Sequence, residues 1–495
     1  MKLLIKNGRV LNPATQTDEI LDLYIEDGIV RMIAPTITDG MIMNDMSYPI
    51  RGDDSSTTHN EEHNIQEAKT EPIHHIDAQN CWVMPGLIDL HVHLRDPGLT
   101  YKEDIESGTL AAAKGGFTTI VAMANTNPVI DSVALFEAAQ KRLQDSAIVH
   151  VIQVASLTKK MEGSELVDIS ALKEAGILAL SEDGKTVQIE SVFYEAMKQA
   201  TAHDLLVLDH CEDEFLKKNG VINEGVKSAE LGLAGISNAV EDVITDRDLR
   251  IREELGTRLH IQHISTKGSV DLVREAKLRH LLASNSCMNE VASNDPKMST
   301  VSCLNDIDSP MNESDRFSTT HITAEVCPHH FTLTDHDIVE GDSNYKMAPP
   351  LRSSEDVQAI IRGLQDGTID AIATDHAPHA EHEKTSDFNS AAFGIIGLET
   401  AVPLVITELV KPGLLTPLQM AEKMSYNPAR ILRLNKGDLS VGHIADITII
   451  DPNAEIEIDK DTFVSKGRNT PFHGWSVLGE VKYTLMGGRI IYEAT

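Results

Sequence analysis

Cysteine and long apolar runs are both scarce in this chain. Five cysteines are scattered over 495 residues, and an odd, unclustered set does not form a disulfide framework. No uninterrupted apolar run reaches the roughly 18 residues that a membrane-spanning helix needs. The opening stretch, MKLLIKNGRVLNP, becomes polar too early for a signal peptide. We therefore expect a cytoplasmic protein that does not associate with membranes.

Positive charge is the second deficit. The 43 Lys and Arg residues are outnumbered by 76 Asp and Glu residues, which gives a formal net charge of −33. So acidic a surface argues against binding to nucleic acid or to an anionic membrane. An anionic substrate would have to be attracted locally, by a metal ion or an arginine.

The two ends of the chain share a strand-like pattern. Residues 1–34 and 433–495 alternate apolar and polar positions, and Asn-Gly and Asp-Gly pairs near the N-terminus are typical of hairpin turns. We therefore expect one small β-sandwich-like domain that is formed by residues 1–82 and 433–495 together.

Two stretches lack any clear periodicity. Residues 37–75 and 284–320 are rich in Asn, Asp, Ser and Thr, and this composition predicts acidic surface insertions, the second of them disordered. The first contains four histidines: His59, His63, His74 and His75. Polar tracts collect histidine without selecting a metal geometry, so we do not favour a metal site there.

Residues 83–432 alternate between strand-like and helix-like segments. The predicted strands are residues 86–93, 117–124, 148–155, 176–183, 205–210, 259–264, 322–329 and 369–376. Eight strands alternating with helices predict the α/β class and a parallel (β/α)8 TIM-type barrel. An open doubly wound sheet is the alternative, but no glycine-rich phosphate loop opens the first crossover.

Residues with metal-binding side chains recur where the predicted strands end. They are His91, His93, Asn125, Asp183, His210, His263, His329, His330, Asp375 and His376. Active sites of such barrels lie at the carboxyl ends of the strands. The sequence therefore predicts a metal site at this edge, built from widely separated parts of the chain.

The stretch DLHVHLRDPG provides the first candidate ligands. Because strand side chains alternate between faces, Asp89, His91 and His93 share one face. Two imidazoles with this spacing can bind one divalent ion. His210 and His263 each end another strand, and as a pair they suit a second ion.

Two metal ions held close together need a bridging anion. Asp183 is the candidate, with Glu182 and a carbamylated Lys185 as alternatives. Asp375 could both ligate a metal and carry a proton between water and a substrate nitrogen.

Several longer motifs resemble one known family. They are DLHVHLRDPG (89–98), ANTNP (124–128), EVCPHHF (325–331), KMAPPLR (346–352), ATDHAPH (373–379) and FGIIGLET (393–400). Together they resemble the dihydroorotases of the amidohydrolase superfamily. The resemblance covers the predicted barrel and both ends of the chain, apart from the two insertions.

This resemblance implies a binuclear zinc enzyme of pyrimidine synthesis, which reversibly cyclises N-carbamoyl-L-aspartate to L-dihydroorotate. By position, one zinc would be held by His91, His93 and Asp375 and the other by His210 and His263. Asp183 would bridge the two, as in bacterial members of the family. Arg95, Asn125 and His379 match the substrate-binding positions, and a guanidinium is well suited to a substrate carboxylate.

Two departures and two alternatives accompany this hypothesis. Ala348 replaces an asparagine that is common in the family, and Ala392 replaces a proline. Related cyclic amidohydrolases, namely dihydropyrimidinase, hydantoinase and allantoinase, usually have a carboxylated lysine at the end of strand four, and residues 177–184 contain none. A catalytically inactive scaffold for aspartate transcarbamoylase is the other alternative, although every predicted metal ligand is present. A homo-oligomer is expected, and aspartate transcarbamoylase is a candidate partner.

Overall fold

The computed structural model describes residues 1–45, 72–292 and 321–494. In chain order, its strands are β1 (Lys2–Asn12), β2 (Thr17–Glu26), β3 (Ile29–Ala34), β4 (Ile73–Asp77), β5 (Trp82–Pro85), β6 (Leu87–Val92), β7 (Phe117–Ala122), β8 (His150–Gln153), β9 (Ala179–Ser181), β10 (Leu206–Asp209), β11 (Ile222–Asn223), β12 (Gly235–Ile236), β13 (Arg258–Ile261), β14 (Ile322–Val326), β15 (Ala371–Ile372), β16 (Ile447–Glu457), β17 (Ser476–Met486) and β18 (Arg489–Glu493).

Helices connect most of the strands of the middle region. The α-helices are α1 (Asp39–Asp45), α2 (Ile105–Lys114), α3 (Val133–Ser146), α4 (Ile169–Glu174), α5 (Glu190–Ala202), α6 (Glu214–Lys217), α7 (Val226–Leu231), α8 (Ala239–Leu255), α9 (Lys267–Ala292), α10 (Pro328–Thr332), α11 (Ser354–Asp366), α12 (Ala401–Val405), α13 (Pro417–Ala421) and α14 (Asn427–Ile431). Two π-helical turns, Ile406–Val410 and Glu422–Tyr426, continue α12 and α13.

Both ends of the chain contribute strands to one mixed sheet. Its order is β18-β17-β16-β5-β1-β2-β3, and β4 pairs with β1. β5 joins the two ends, because it runs parallel to β1 and antiparallel to β16. The sheet thus includes Trp82–Pro85, three residues beyond the boundary at residue 82 set by the sequence. One face of the sheet buries Leu3, Ile5, Val83, Ile447 and Leu485 in a common core.

The middle of the chain forms two parallel arcs of strands. One has the order β6-β7-β8 and the other β15-β14-β13-β10-β9. Single-residue parallel bridges link the arcs, between Ala155 and Leu180 and between Val92 and His376. Seven of the eight predicted strand segments contain one of these strands, and the eighth, 259–264, overlaps β13, which begins one residue earlier at Arg258. Their carboxyl ends therefore lie along one edge.

The sequence explains why these strands are interior. β7 reads FTTIVA and every residue in it is buried, as expected for a parallel strand that is covered on both faces. The helices begin at recognisable caps. Asp104 accepts the Ser107 N–H before α2, and Ser353 accepts the Asp356 N–H before α11, so each satisfies a backbone donor that the helix itself cannot.

Parts of both predicted insertions form regular structure, which corrects the sequence analysis. Within 37–75, Asp39–Asp45 forms α1 and Ile73–Asp77 forms β4, which pairs in register with β1. The sheet edge supplied by β1 offers partners that local composition does not reveal. α9 likewise runs to Ala292, nine residues into the segment predicted to be disordered from 284, because extending an existing helix costs less than starting one.

Two of the four histidines of the first insertion are described by the structure. His74 and His75 are exposed on β4, whereas His59 and His63 lie outside the described residues. In the part of the chain that the structure describes, no helix is both long enough and apolar enough to span a bilayer.

Candidate metal centre and active site

The predicted ligands converge at the carboxyl edge of the parallel strands. His91 lies in β6 and His93 directly follows it. Asp183, His210, His263 and Asp375 follow β9, β10, β13 and β15 by one to three residues. Parallel strands that pair in register bring these short connections together. All six side chains are buried.

Asp183 is at the centre of the group. Its Oδ1 lies 3.2 Å from His91 Nε2, 3.4 Å from His210 Nδ1 and 3.5 Å from His263 Nε2. Its Oδ2 lies 3.3 Å from His93 Nε2. One carboxylate therefore contacts all four histidines, which is the position that an anion shared between two metal ions would occupy.

The two alternatives to Asp183 point elsewhere. The Glu182 carboxylate accepts the N–H groups of Leu157 and Thr158, at 2.9 and 3.0 Å. Lys185 Nζ donates to the carbonyl of Met161 at 3.1 Å. Both side chains are engaged by the segment that follows β8, away from the histidines.

Asp375 closes the group on the side of β6. Its Oδ1 is 3.0 Å from His93 Nε2 and 3.5 Å from His91 Nε2. Asp375, His263 and Arg95 have positive φ angles of 47°, 30° and 58°. Such left-handed backbone is unfavourable for non-glycine residues and often occurs at functional sites, where it aims a side chain.

The charge balance of the cluster suits a cation. Burial disfavours the ionised carboxylate of Asp183, yet the neighbouring His91 and hydrogen bonds from His210 and His263 hold its pKa well below the usual value. Burial likewise opposes protonation of His91, but the carboxylates of Asp183 and Asp375 hold its pKa well above the usual value. In this environment the carboxylates are anionic and demand positive charge close by.

The donor geometry also fits metal ions. Two groups, His91-His93-Asp183 and Asp183-His210-His263, each have ligand atoms within 4.8 Å of one another. His91 Nε2 is buried and has no hydrogen-bond partner among the described residues, although carboxylates are near. An imidazole nitrogen oriented in this way is available for a metal ion.

A second layer of residues, which the sequence analysis did not identify, orients the histidines. His91 Nδ1 is 2.9 Å from Glu325 Oε1, and the same carboxylate accepts from His260 Nε2 at 3.0 Å. Glu325 thereby favours a proton on Nδ1 of His91, so that Nε2 is the nitrogen that would lose its proton and bind a metal ion. Glu325 lies in the quoted motif EVCPHHF, but alternation in a fully buried strand gives no sign that it faces His91.

Asn125 forms a hydrogen bond with His93, one of the candidate metal ligands. Its Oδ1 is 2.9 Å from His93 Nδ1, so it accepts the imidazole proton and fixes the ring. Asn125 also lines the cavity above the cluster.

Other polar residues at the strand ends have separate partners. Asp89 lies below the cluster, where it accepts from Thr374 N at 3.0 Å and Thr374 Oγ1 at 2.6 Å. His330 Nε2 is 3.0 Å from the Pro349 carbonyl, and His376 Nε2 is 3.2 Å from Glu103.

A cavity of about 200 Å³ opens above the metal-ligand candidates. Its wall includes His93, Arg95, Asn125, Asp183, His210, Glu212, Lys217, His263, Ala348, Asp375, His379, Phe393 and Gly394. All three predicted substrate-binding residues therefore share one cavity with five of the six predicted ligands. Ala348, which replaces an asparagine that is common in the family, also lies in this wall. A change at this position could therefore affect a bound substrate.

Arg95 is a buried cation in this wall. Its Nε donates to the carbonyl of Pro378 at 3.3 Å. The neighbouring Asp96 is engaged elsewhere, because it receives a two-pronged ion pair from Arg142 at 2.8 and 2.7 Å. Burial lowers the pKa of Arg95, and an incoming carboxylate would reverse that destabilisation.

His379 lies beside Arg95 in a fixed orientation. Its Nε2 is 2.8 Å from the Phe393 carbonyl, so this nitrogen carries the proton. Burial and the charges of Arg95 and Lys102 lower the pKa of His379 to about 3. The ring is therefore neutral at physiological pH.

Lys217 is a further cation in the cavity that the sequence analysis did not identify. Its Nζ lies 2.8 Å from Glu212 Oε1 and 4.6 Å from the centre of the Phe393 ring. Lys217 is on the short helix α6, and no periodicity or spacing distinguishes it from the neighbouring surface lysines.

Comparison with known proteins assigns the chain to the cyclic amidohydrolases of the amidohydrolase superfamily. A model of dihydro-orotase-like proteins matches residues 81–269. The chain is 40% identical to a dihydroorotase of Acetivibrio thermocellus, with 99% of this chain and 98% of that protein aligned. It is 42% identical to a dihydroorotase of a Geobacillus strain, over 100% of this chain and 99% of that protein. The chain therefore belongs to the dihydroorotase family, which confirms the resemblance found in the sequence.

Solved structures with the same fold have other names. The L-hydantoinase (dihydropyrimidinase) from Arthrobacter aurescens superposes with a TM-score of 0.76 at 23% identity, over 99% of this chain and 96% of that one. A D-hydantoinase gives a TM-score of 0.75 at 23% identity, with coverages of 100% and 95%. At this level of identity the likeness concerns the fold alone.

Proposed function

We propose that this protein is a dihydroorotase that uses two zinc ions to cyclise N-carbamoyl-L-aspartate reversibly to L-dihydroorotate. The observation that carries the proposal is the cavity in which a buried arginine, Arg95, lies beside a carboxylate that contacts four histidines. A substrate that reacts at a metal centre and carries a separate carboxylate requires both features.

The proposed ligand sets follow from the distances around Asp183. One zinc would be held by His91, His93 and Asp375 and the other by His210 and His263, with Asp183 shared between them. When bound, the two ions would polarise the reacting carbonyl and lower the pKa of the attacking water. The aspartate bridge is supported over Glu182 and Lys185 because those side chains are bound elsewhere.

Asp375 is proposed as the group that moves the proton. In ring closure the carbamoyl nitrogen attacks the side-chain carboxyl carbon, a C–N bond forms and a C–O bond breaks. Asp375 accepts the proton from that nitrogen and returns it to the departing oxygen, and a second proton from solvent completes the water that leaves. In ring opening Asp375 takes the proton of the attacking water and delivers it to the ring nitrogen.

Arg95, Asn125 and His379 are proposed to hold the substrate. The Arg95 guanidinium would bind the carboxylate that does not react, with two parallel hydrogen bonds. Asn125 and the neutral His379 would complete its hydrogen bonding. The uncharged rings of hydantoin or dihydrouracil offer Arg95 no anion, so they would leave it buried and unpaired.

The proposed barrel, domain boundaries, location and partners rest on the same family membership. The eight parallel strands and the two bridges between their arcs support a closed (β/α)8 barrel over 83–432. The shared terminal sheet supports a small domain formed from 1–82 and 433–495. Location in the cytoplasm, homo-oligomerisation and assembly with aspartate transcarbamoylase are further parts of this proposal.

Turnover by the zinc-reconstituted protein tests the proposal. L-dihydroorotate, dihydrouracil, hydantoin and allantoin are compared in parallel, with Arg95→Met and the exposed control Arg250→Met. We expect rapid opening of dihydroorotate alone and a loss of about 100-fold or more in kcat/KM for Arg95→Met. Turnover of an uncharged ring would overturn the substrate, and inactivity with two zinc ions bound would favour the scaffold alternative.

A further inference from the structure

A second cavity lies at the opposite end of the parallel strands. It has a volume of about 540 Å³, within the usual range for pockets that hold small molecules. Its wall includes Leu206, which begins β10, Arg258, which begins β13, and His321, which precedes β14. These residues lie at the amino ends of strands whose carboxyl ends carry the metal-ligand candidates. The cavity is therefore separate from the site described above.

The wall of this cavity is strongly cationic. Among the residues that the structure describes, the wall contains Arg258, Arg430 and Arg433 and no Asp or Glu. This concentration is unexpected in a chain with a net charge of −33. Like charges repel one another, so three guanidiniums around one cavity need a compensating benefit.

The internal contacts neutralise these arginines only in part. Across residues 1–45, 72–292 and 321–494, Asp204 is the one carboxylate that forms an ion pair with any of them, and it pairs with Arg433. Arg258 binds backbone carbonyls alone, those of Asp204 and Ile431. Arg430 lies 5.8 Å from the ring of Tyr426.

Arg258 is the most strongly affected of the three. Burial, and then the positive charge of Arg433, lower its pKa to about 10. Its charged form is therefore held in an unfavourable environment. An anion in the cavity would relieve both effects at once.

We propose that this cavity is a binding site for a small phosphomonoester, whose phosphate group is held by Arg258, Arg430 and Arg433. Guanidiniums bind phosphate oxygens in pairs of parallel hydrogen bonds. The remaining wall, with Leu206, Ile431 and Leu434 beside Asn435, has the mixed character that suits the organic part of such a ligand. A polymeric nucleic acid is disfavoured, because the rest of the acidic surface would repel it.

Isothermal titration calorimetry of the full-length, zinc-loaded protein provides the test. The probes are inorganic phosphate, adenosine 5′-monophosphate and, as an uncharged analogue, adenosine. The variant Arg430→Met/Arg433→Met removes two exposed guanidiniums. Its matched control is Arg250→Met/Arg279→Met, which removes two exposed arginines elsewhere. Arg95→Met reports whether the probes bind in the catalytic cavity instead.

We expect both phosphate-bearing probes to bind, adenosine to bind far more weakly, and the double variant at the cavity to lose at least about tenfold in affinity. The control and Arg95→Met should retain wild-type affinity for these probes. Unchanged affinity in the cavity variant, loss of binding in Arg95→Met, equal binding of adenosine, or no binding of either phosphate would each overturn the proposal.

A second variant covers the case in which the double substitution does not fold. Asn435→Glu keeps all three arginines and adds a carboxylate to the exposed rim. It should also weaken binding of inorganic phosphate at least tenfold, by repulsion and by competition for the guanidiniums. Equal affinity in this variant would contradict the assigned location.

Discussion

At the level of single residues, a carboxylate on another strand determines how His91 can act. Glu325, on β14, accepts hydrogen bonds from both His91 and His260. This series of hydrogen bonds continues to Thr323, whose hydroxyl is 2.8 Å from His260 Nδ1. Each hydrogen bond in this series therefore has a defined donor and acceptor, and Nε2 of His91 is the nitrogen that faces Asp183.

Replacing Glu325 with Gln should weaken metal binding without removing a ligand. The amide lacks the negative charge that favours the proton on His91 Nδ1, so His91 becomes a poorer donor from Nε2. We expect metal affinity to fall about 10- to 100-fold, as measured by competition with a chelator of known affinity.

Glu383→Gln is the matched control for this substitution. Glu383 pairs with Lys102 at 2.8 Å and lies 3.5 Å from Nδ1 of His379, which is a proposed substrate-binding residue and not one of the six proposed metal ligands. Its metal affinity should equal that of the wild type. Unchanged affinity in a folded Glu325→Gln protein would contradict the orienting role of Glu325.

The types of the site residues were predictable from the sequence, but the directions in which several of their side chains point were not. Histidine and aspartate at strand ends predicted the cluster. Glu182 and Asp183 are adjacent, and the choice between them depends on which face of the strand each occupies. In the structure Glu182 turns to the N–H groups of Leu157 and Thr158, which a single sequence does not reveal.

At the level of elements, the connection after β6 is stabilised by α3. Asp96 is buried and receives both prongs of the Arg142 guanidinium. Arg142 belongs to α3, so this ion pair fixes the backbone immediately after Arg95. Arg95, the residue before Asp96, has a left-handed φ of 58°, and we expect this conformation to depend on that support.

Arg142→Met should therefore affect substrate binding more than metal binding. We expect KM for dihydroorotate to rise about 3- to 10-fold while kcat changes less than about twofold, because Arg95 would be held less firmly. Zinc content, measured by atomic absorption, should match the wild type. A fall in kcat at unchanged KM would show that the ion pair acts on the chemical step instead.

The elements were predictable to different degrees for a physical reason. β6 (LIDLHV) and β7 (FTTIVA) are fully buried and consist mostly of apolar and β-branched residues, so the pattern is strong. α1 and β4 lie within a polar segment, and β4 forms because β1 offers backbone hydrogen bonds to residues 73–77. The predicted start of the second insertion, at residue 284, was wrong because α9 continues past it. A helix that has already begun at Lys267 can extend through residues that are weak helix formers.

At the level of the whole molecule, the C-terminal segment reaches the catalytic cavity. Asn469 donates to the carbonyls of Ala377 and Gly394, both at 3.0 Å. Its Oδ1 accepts the His379 N–H at 3.1 Å. Asn469 thus joins the two connections that carry His379 and Phe393. The sequence analysis predicted that the chain ends meet, but contact across such a separation leaves no local pattern that would identify this residue.

Asn469→Ala should loosen the substrate side of the cavity and leave the metal side intact. The substitution would leave the Ala377 carbonyl and the His379 backbone N–H in the interior without these partners, which costs about 1–3 kcal/mol for each group that water does not reach, whereas the Gly394 carbonyl keeps its bond from Lys384 Nζ at 3.1 Å. Because His379 and Gly394 would then shift relative to Arg95, we expect KM to rise about tenfold. The zinc content should stay that of the wild type, since Asn469 contacts none of the six proposed ligands. Asn453→Ala is the control, because Asn453 is exposed on the same C-terminal segment. Lower zinc content with unchanged KM would place the effect of Asn469 at the metal centre and contradict this division between the two sides.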